Sequence, residues 1–459
     1  MAVTKNHNPV HWPRLGVCRA LMALAREQVT PTMLAKDCLD TIARHNEALG
    51  AFVDVRPELV QGQAQSAQRR RREGVIGRLD GIPVAVKDNF DIGGYVTRVG
   101  LPRPERAVAA HDAQAVARLR ASGAILIGKT RLDEGALGAV GDNPHSGPVH
   151  HPERPEYVPG GSSAGSAVAV ASGMALAAIG SDSLGSIRIP ASYCGLYGFK
   201  PTHGEISTVG LTAAARRLDC VGILAAEVED LGVLLPVLSC YDADDIHSRR
   251  RRVALDLPDW EPGQLRCGLL ADLAGLHVKP EVCEVFQQAL ASLQHGLGKR
   301  RQVDFSDWPL AATRRAGLLL MEVEMLHTFA ADLKDSQHPV SARFRNLLDF
   351  AKRKSASDYV RADRVLDAAR LKARRLFAQV DVLVMPTTPQ GAFPIGAPVP
   401  DNQADLTSFA SLAGCPAVSL PMGRLPDGLP IGIQLVGPPG SDLRLLELAG
   451  ICAACLDVE

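Results

Sequence analysis

The sequence predicts an α/β protein with a mixed β-sheet. Three observations predict this class: amphipathic helical segments alternate with short apolar strands, glycine closes several helices, and apolar residues make up 46% of the chain. Charged residues make up 22%, as in an ordinary globular protein. A length of 459 residues is enough for a sizeable core. By itself, this length allows either several domains or one large α/β unit.

The helix signals are clear near the beginning of the chain. Thr30 followed by Pro31 predicts a helix N-terminus, because threonine caps the first turn and proline fits its first position. Leu34, Cys38 and Ile42 then recur at every fourth position, and the helix is predicted to end at Gly50. A second helix is predicted to open at Asp112 and to end at Gly123.

Short apolar runs predict the buried strands. Residues 82–86 lead directly into Lys87, and residues 124–127 follow the second predicted helix. Two further buried strands are predicted at 381–386 and 429–437. The helix–glycine–strand order around residue 123 favours a mixed sheet.

Charge and cysteine content exclude several classes of protein. Lys plus Arg and Asp plus Glu both number 50, so the net charge is zero, which argues against a protein that coats DNA or RNA. The ten cysteines are too sparse for a disulfide scaffold, and the single Cys-x-x-Cys at 452–455 has no second pair for a zinc site. The N-terminus lacks an apolar signal region, and the longest apolar stretch, 167–180, is too short to span a bilayer. We expect a reduced, cytoplasmic protein without metal or membrane partner.

Residues 159–204 differ in composition from the rest of the chain. They are dense in Gly, Ser and Ala, nearly free of charge, and punctuated by Val, Ile and Leu. A linker would be polar and would lack those apolar residues. This composition favours tight packing and a close approach of the backbone to another group.

Two short motif matches in the chain are rejected. Residues 123–130 fit GxxxxGK[ST], but the four variable residues are themselves a predicted strand, so they cannot cradle a phosphate. Residues 161–165 fit GxSxG, but a proline-rich loop precedes them where a nucleophile elbow needs a strand. That second interpretation predicts a different nucleophile, Ser163, with a histidine base.

The Gly/Ser-rich region resembles the amidase signature family. The similarity is carried in order along the chain by residues 79–89, 117–134, 141–148, 160–166, 180–190, 194–195, 198–202, 386–389 and 412–437. Because it covers nearly the whole chain, the resemblance implies a single domain over residues 1–459. It also implies a large twisted mixed sheet covered by helices on both faces. Residues 159–204 would be the core motif, and about 240–345, which are more charged, a variable substrate-pocket region.

The resemblance implies a catalytic triad of two serines and a lysine. Ser186 takes the position of the nucleophile, Ser162 that of the cis-serine, and Lys87 that of the base. The chemistry is consistent with these residue types. A serine needs an adjacent base, and lysine becomes one only if its pKa falls from about 10.4 toward neutrality, which burial can bring about.

The resemblance also implies an oxyanion hole in the loop before the nucleophile. Its backbone N–H donors would be those of Ser183, Leu184 and Gly185, together with that of the nucleophile itself. Asp182 and Arg188 flank this loop and are predicted to pin it through buried hydrogen bonds. Leucine stands at 184 where the family commonly has glycine, which would be strained if the position required a positive φ.

The predicted activity is that of an amidohydrolase acting on linear amides. It would cleave a small amide or ureido substrate through an acyl-enzyme on Ser186, without metal or cofactor and without a nucleic-acid partner. Arg343 or Arg345 would bind a substrate carboxylate, although a solvated-helix role is equally compatible with both. A homodimer is left open.

Two alternatives remain beside this prediction. One is the glutamine-hydrolysing A subunit of a tRNA-dependent amidotransferase, an obligate partner of a tRNA-binding subunit. In that branch Gln typically follows the arginine, where this chain has Ile189, and Tyr-Gly-Arg stands where this chain has 203–205. The other is a catalytically silent scaffold, which the presence of all three triad residues disfavours.

Overall fold

The computed structural model describes residues 16–103, 108–250, 264–294 and 296–456. The strands of these residues form a single mixed β-sheet. Within these ranges eleven strands hydrogen-bond in the order β1-β3-β2-β4-β6-β5-β10-β11-β9-β7-β8. The strands are β1 (Phe52–Asp54), β2 (Pro83–Lys87), β3 (Ile125–Thr130), β4 (Ala177–Asp182), β5 (Tyr197–Lys200), β6 (Cys220–Ala225), β7 (Arg266–Leu270), β8 (Lys299–Val303), β9 (Val382–Pro386), β10 (Ala417–Arg424) and β11 (Pro430–Val436).

Thirteen α-helices of the described chain pack around this sheet. They are α1 (Gly16–Ala25), α2 (Pro31–Leu49), α3 (Pro57–Arg72), α4 (Gln114–Ala121), α5 (Ala164–Ala171), α6 (Arg188–Cys194), α7 (Val228–Leu238), α8 (Pro280–Ser292), α9 (Leu310–Thr328), α10 (Ala342–Lys352), α11 (Ala356–Phe377), α12 (Asp405–Ala413) and α13 (Asp442–Leu456). The predicted fold class, a mixed sheet with covering helices, is confirmed.

The sheet is mixed because its two halves pair differently. Strand β2 pairs in parallel with both β3 and β4. Strands β4, β6, β5, β10, β11 and β9 then follow in antiparallel pairs, and β7 returns to a parallel pairing with β8 and β9. The carboxyl ends of β2 and β4 therefore lie side by side, which is where Lys87 and the loop after Asp182 emerge.

The predicted first helix is confirmed with its caps. The Thr30 hydroxyl accepts a hydrogen bond from the backbone N–H of Met33 at 3.2 Å, and Pro31 occupies the first turn of α2. Gly50 ends the helix with a left-handed φ of 64°, where glycine avoids the steric cost of a Cβ atom.

The second predicted helix begins two residues later than expected. Helix α4 starts at Gln114, with Ala113 as its N-cap. The Asp112 carboxylate does not cap the helix, because it accepts hydrogen bonds from the Gly93 N–H at 2.8 Å and from Arg120 Nε at 2.7 Å.

The predicted strands are all present, with small differences in length. Residues 124–127 lie in or beside β3, which continues to Thr130 because its parallel partner β2 continues to Lys87. Residues 381–386 and 429–437 contain β9 and β11. The long apolar stretch 167–180 divides between α5 and β4, and no helix among the described residues is long and apolar enough to cross a membrane.

Candidate active site

The side chain of Lys87 lies buried at the carboxyl end of β2. All five residues of this strand are buried, and Lys87 itself has no exposed surface. Its amine lies 2.8 Å from the Ser162 hydroxyl and 3.0 Å from the Ser181 hydroxyl. Among the described residues, its hydrogen-bond partners are therefore two hydroxyl groups and no carboxylate.

Burial lowers the pKa of Lys87 to about 7. The charged form loses its hydration inside the sheet, and no ion pair within the described chain replaces it. The nearby carboxylates of Asp133, Asp219 and Asp182 oppose the shift without cancelling it. With a pKa near 7, about half of the Lys87 amines are neutral at pH 7, and the neutral form can accept a proton.

Ser162 lies in the loop before α5, and its peptide bond to Gly161 is cis. Its side chain is almost fully buried beside Lys87. The next residue ties this loop to the predicted nucleophile, since the Ser163 backbone N–H donates to the Ser186 carbonyl oxygen at 3.1 Å. Two segments separated by more than twenty residues in sequence thus lie against each other at the end of β2.

Ser186 lies between β4 and α6 and is the partly exposed member of the predicted triad. Within the described parts of the chain its hydroxyl makes no hydrogen bond, whereas the Ser162 hydroxyl is bonded to Lys87. A hydroxyl that is accessible and unpartnered is available to an incoming carbonyl carbon.

The loop formed by Ser183, Leu184 and Gly185 has free backbone donors. The N–H groups of these residues and of Ser186 have no acceptor in the described chain. Gly185 has a φ of 142°, and a Cβ at this position would collide with Thr407. The loop immediately precedes Ser186 in the chain and keeps its N–H groups without acceptors among the described residues, and unpaired donors of this kind are what an oxyanion hole needs.

Leucine at position 184 is compatible with this loop. In the described chain, positive φ among non-glycine residues is confined to four positions, and Leu184 is not one of them. The backbone strain considered from the sequence is therefore absent. Its side chain is buried, and its carbonyl oxygen accepts a hydrogen bond from Thr407 Oγ1 at 2.5 Å.

Asp182 and Arg188 form a fully buried ion pair across the loop that carries Ser186. The guanidinium donates to both carboxylate oxygens at 2.9 Å, and the Ile187 N–H donates to the same carboxylate at 3.2 Å. Burial alone would raise the pKa of Asp182, but the charge and hydrogen bonds of Arg188 outweigh it and hold that pKa below its usual value. Arg188 also donates to the Thr407 carbonyl at 2.9 Å and to Gln434 at 2.6 Å. Because removing one partner of a buried pair strands the other charge, this pair fixes the loop geometry.

Two buried carboxylates near Lys87 were not identified from the sequence. Asp133 accepts from the Gly141 N–H at 3.1 Å, and a Cβ on Gly161 would collide with it. Asp219 accepts from the Ser183 hydroxyl and from the backbone N–H of Ala214 at 2.7 Å. Burial raises the pKa of each carboxyl to about 6. Asp133 thus lies against the loop that carries Ser162, and Asp219 holds Ser183 of the predicted oxyanion loop.

Ser181 and Asn89 form a second contact set that sequence reasoning missed. The Ser181 oxygen accepts from Asn89 Nδ2 at 2.9 Å as well as from Lys87. Both residues lie within the motifs that carry the family resemblance, so a sequence signal for them existed. Their contact joins segments more than ninety residues apart, and no sequence pattern indicates it.

The two predicted carboxylate-binding arginines differ in environment. Arg343 at the start of α10 is mostly exposed, and its guanidinium lies 3.5 Å from the Asp142 carboxylate. Its charge also opposes part of the rise that burial causes in the pKa of Asp133, which lies against Gly161. Arg345 donates to the Leu333 carbonyl at 3.1 Å. Of the two arginines, only Arg343 has a described electrostatic link to the site.

The rejected motifs also have clear structural roles. Ser163 is fully buried, and its hydroxyl donates to the Ser181 carbonyl oxygen at 3.2 Å, so it is not presented as a nucleophile. Lys129, the lysine of the GxxxxGK match, lies within β3 and forms a buried ion pair with Asp88 at 2.7 Å. In the described chain, no group of three or more His, Cys, Asp or Glu side chains has the arrangement of a metal site.

Comparison with known proteins shows the family. The family model named Amidase matches residues 34–446. The chain therefore belongs to the amidase family, as the resemblance of its motifs implied.

Individual relatives are similar over nearly their whole length. The A subunit of glutamyl-tRNA(Gln) amidotransferase from Thermosynechococcus vestitus is 34% identical and is matched over 93% of this chain and 95% of its own. A crystal structure of an amidase superposes with a TM-score of 0.86 at 31% identity, covering 96% of this chain and 99% of its own. The A subunit of glutamyl-tRNA(Gln) amidotransferase from Thermotoga maritima superposes with a TM-score of 0.80 at 28% identity, covering 96% and 94%.

Proposed function

We propose that the chain hydrolyses an amide C–N bond through an acyl-enzyme on Ser186, with Ser162 and Lys87 as the proton relay. The observation that carries this proposal is the state of Lys87. Its amine is fully buried, has a pKa of about 7, and lies 2.8 Å from the Ser162 hydroxyl. A buried amine with hydroxyl partners is suited to take up and return a proton at neutral pH.

The relay balances protons in two half-reactions. In the first, the Ser186 oxygen attacks the amide carbon while its proton passes to Ser162 and the Ser162 proton passes to Lys87. The tetrahedral intermediate then collapses, the C–N bond breaks, and the departing ammonia or amine takes the proton back through the same relay. In the second, water attacks the ester on Ser186 in the same manner and releases the carboxylate.

Ser181 and Asn89 orient the base for this relay. The Ser181 oxygen accepts from both Asn89 and Lys87, so one N–H of the neutral amine points toward Ser181. The lone pair of the amine is then free to face Ser162. Asn89 thereby acts as a positioning residue, since it fixes the acceptor that fixes the amine.

The loop 183–185 would stabilise the negative charge that forms on the substrate oxygen. Its N–H groups already lack acceptors within the described residues, so they need no reorganisation during the reaction. Removing a single donor of such a hole typically costs about 10²–10³ in rate.

The relatives favour the glutamine-hydrolysing alternative over a stand-alone amidase of small amide or ureido compounds. Curated relatives with 33–34% identity over more than nine-tenths of this chain are named as the A subunit of glutamyl-tRNA(Gln) amidotransferase. Glutamine carries a side-chain carboxamide, so the same relay serves it. On this proposal, the biological partner is a second subunit that receives the ammonia.

One observation supports the stand-alone amidase as a second candidate. Ile189, which stands where the amidotransferase branch typically has glutamine, is buried in an apolar cluster with Val140 and Tyr193. Its terminal methyl group lies beside Gly185 in the predicted oxyanion loop. The chain thus has an apolar residue beside the predicted oxyanion loop, where the amidotransferase branch typically has a polar one.

A fluorophosphonate probe tests the proposed nucleophile. We expect covalent labelling of wild-type protein at Ser186, located by peptide mass spectrometry, and no labelling of Ser186→Ala. The matched control is Ser163→Ala, which removes the neighbouring serine of the rejected motif and should still be labelled. Labelling that persists in Ser186→Ala and disappears in Ser163→Ala would instead support the nucleophile elbow.

A substrate panel then separates the two candidates. Ammonia release from glutamine, small neutral amides and ureido acids is measured for the chain alone and for any complex isolated from its source cells. Preference for glutamine, rising in the complex, supports the amidotransferase role, whereas turnover of small amides by the chain alone supports the stand-alone amidase. Absence of both labelling and turnover would leave the silent scaffold as the remaining function.

A further inference from the structure

The side chain of Leu184 packs into a gap left by a glycine on another helix. Gly317 lies on α9, and a Cβ built on it would lie 3.0 Å and 3.4 Å from the two methyl carbons of Leu184. The same Cβ would lie 3.3 Å from a methyl carbon of Leu412 in α12. Leu184 thus packs against α9, where the missing side chain at position 317 makes room for it.

Among the helical glycines of the described residues, Gly317 shares with Gly16 and Gly165 a Cβ position that neighbouring atoms approach closely. Gly62 in α3 and Gly232 in α7 have no atom within 4 Å of the position that a Cβ would take. Glycine costs an exposed helix about 1 kcal/mol relative to alanine, so glycine in a helix often marks a packing requirement. At position 317 that requirement is the Leu184 side chain.

The packing of the Leu184 side chain against α9 positions two backbone groups of the same residue, its N–H and its carbonyl. Its N–H has no acceptor within the described residues and is one of the predicted oxyanion donors. Its carbonyl oxygen is held by Thr407 Oγ1 at 2.5 Å, and the preceding Ser183 hydroxyl is held by Asp219. The loop is therefore fixed from three directions, and α9 contributes through the Leu184 side chain.

We propose that Leu184 is a positioning residue that couples helix α9 to the oxyanion loop through its contact with Gly317. The inference rests on the proposed function, since it assigns the loop N–H groups to the developing oxyanion. Such donors act at about 2.7–3.1 Å from the oxygen, so a shift of a few tenths of an ångström weakens them. If α9 shifts, the Leu184 side chain shifts with it, and so does the backbone N–H of Leu184. The position of α9 therefore determines the position of this N–H in the loop.

The experiment compares the variants Leu184→Ala, Gly317→Ala and the double variant. The readouts are the rate constant of Ser186 labelling by a fluorophosphonate, kcat and KM for the best amide of the panel, and the thermal midpoint Tm. Each single variant should lower the labelling rate constant and kcat by about tenfold, less than the loss of a whole donor, with KM nearly unchanged. The fold-decrease in kcat and in the labelling rate constant of the double variant should be much smaller than the product of the two single fold-decreases. The reason is that the methyl group added at position 317 partly fills the space that the Leu184 side chain vacates.

Two controls separate positioning from general packing. Leu184→Met keeps a flexible side chain of similar volume and should retain most of the activity. Gly232→Ala adds a methyl group to a helical glycine in open space and should change neither kcat nor the labelling rate. Additive losses in the double variant, or losses in Tm with kcat unchanged, would overturn the inference while leaving the nucleophile intact. Failure of wild-type protein to label at Ser186 would overturn both.

Discussion

Cationic side chains have opposite environments on an interior strand and on an edge strand of the sheet. Strand β2 is buried throughout, including Lys87, whereas β8 at the far edge reads Lys-Arg-Arg-Gln-Val and exposes its first four residues. Edge strands commonly carry charges that face water and discourage association. A charged amine buried on an interior strand is costly, so it is either paired with an opposite charge or neutralised by a lowered pKa.

Two buried lysines on neighbouring strands show what decides whether a buried amine is paired with a carboxylate or remains a candidate base. Lys87 of β2 and Lys129 of β3 are both inaccessible to solvent, and burial lowers the pKa of each. Lys129 lies 2.7 Å from the Asp88 carboxylate, while Lys87 has only hydroxyl partners among the described residues. The comparison teaches that the available partner, not burial alone, separates a structural lysine from a candidate base.

The largest expected effect is that of Lys87→Met. Methionine keeps the volume and removes the amine, so kcat should fall by about 10²–10⁴, the usual contribution of a general base. Because no carboxylate is left unpaired, the far-UV circular dichroism should be unchanged and the Tm should change little. Retained turnover in Lys87→Met would remove this lysine from the reaction.

Lys129→Met provides the contrasting result. It leaves the Asp88 carboxylate buried without its partner, so unfolding free energy should fall by about 3–5 kcal/mol. Denaturant unfolding measures this loss, and Lys129→Met/Asp88→Asn should recover part of it. A selective loss of kcat in Lys129→Met without loss of stability would contradict the structural role of this lysine.

The pH dependence sharpens the comparison further. The neutral amine is the active form of the base, so kcat/KM should rise about tenfold per pH unit below 7 and level off above it, following the Lys87 pKa of about 7. The rate of fluorophosphonate labelling, measured between about pH 5 and 9, should follow the same curve. A profile that falls on the alkaline side of 7 would argue that the protonated lysine is the active species.

The smallest effect concerns the two arginines of α10. Arg343→Gln should raise KM for glutamine by up to about fivefold, because a partly exposed ion pair contributes about 1 kcal/mol or less. KM for a neutral small amide should stay unchanged. Arg345→Gln is the matched control and should affect neither, since its side chain is bonded to the Leu333 carbonyl. Equal effects of the two variants would remove Arg343 from substrate binding.

Much of the fold was predictable because its signals are local. The cap at Thr30 and the left-handed Gly50 required only neighbouring residues, and both are confirmed. The start of α4 was misjudged because Asp112 bonds to Gly93, nineteen residues away, and to Arg120 instead of capping the helix.

The candidate site likewise has a part that the sequence predicts and a part that only the tertiary structure shows. The residues Lys87, Ser162 and Ser186 were nominated by motif, whereas the supporting contacts join distant segments. Thr407 reaches the Leu184 carbonyl across more than two hundred residues, and Asp219 reaches Ser183 across 36. Sequence patterns with periods of two to four residues carry no information on such pairs.

By itself, the sequence determined the family, the mixed α/β class and the residues nominated for the triad, because these follow from ordered motifs and local periodicity. The tertiary structure decided the ionisation of Lys87 and the freedom of the loop N–H groups. Both depend on what surrounds a group in space: desolvation by the neighbouring strands lowers the lysine pKa, and contacts from α9 and α12 hold the loop. Two buried lysines in adjacent strands therefore have different partners, hydroxyl groups for Lys87 and the Asp88 carboxylate for Lys129, for a reason that no linear pattern contains.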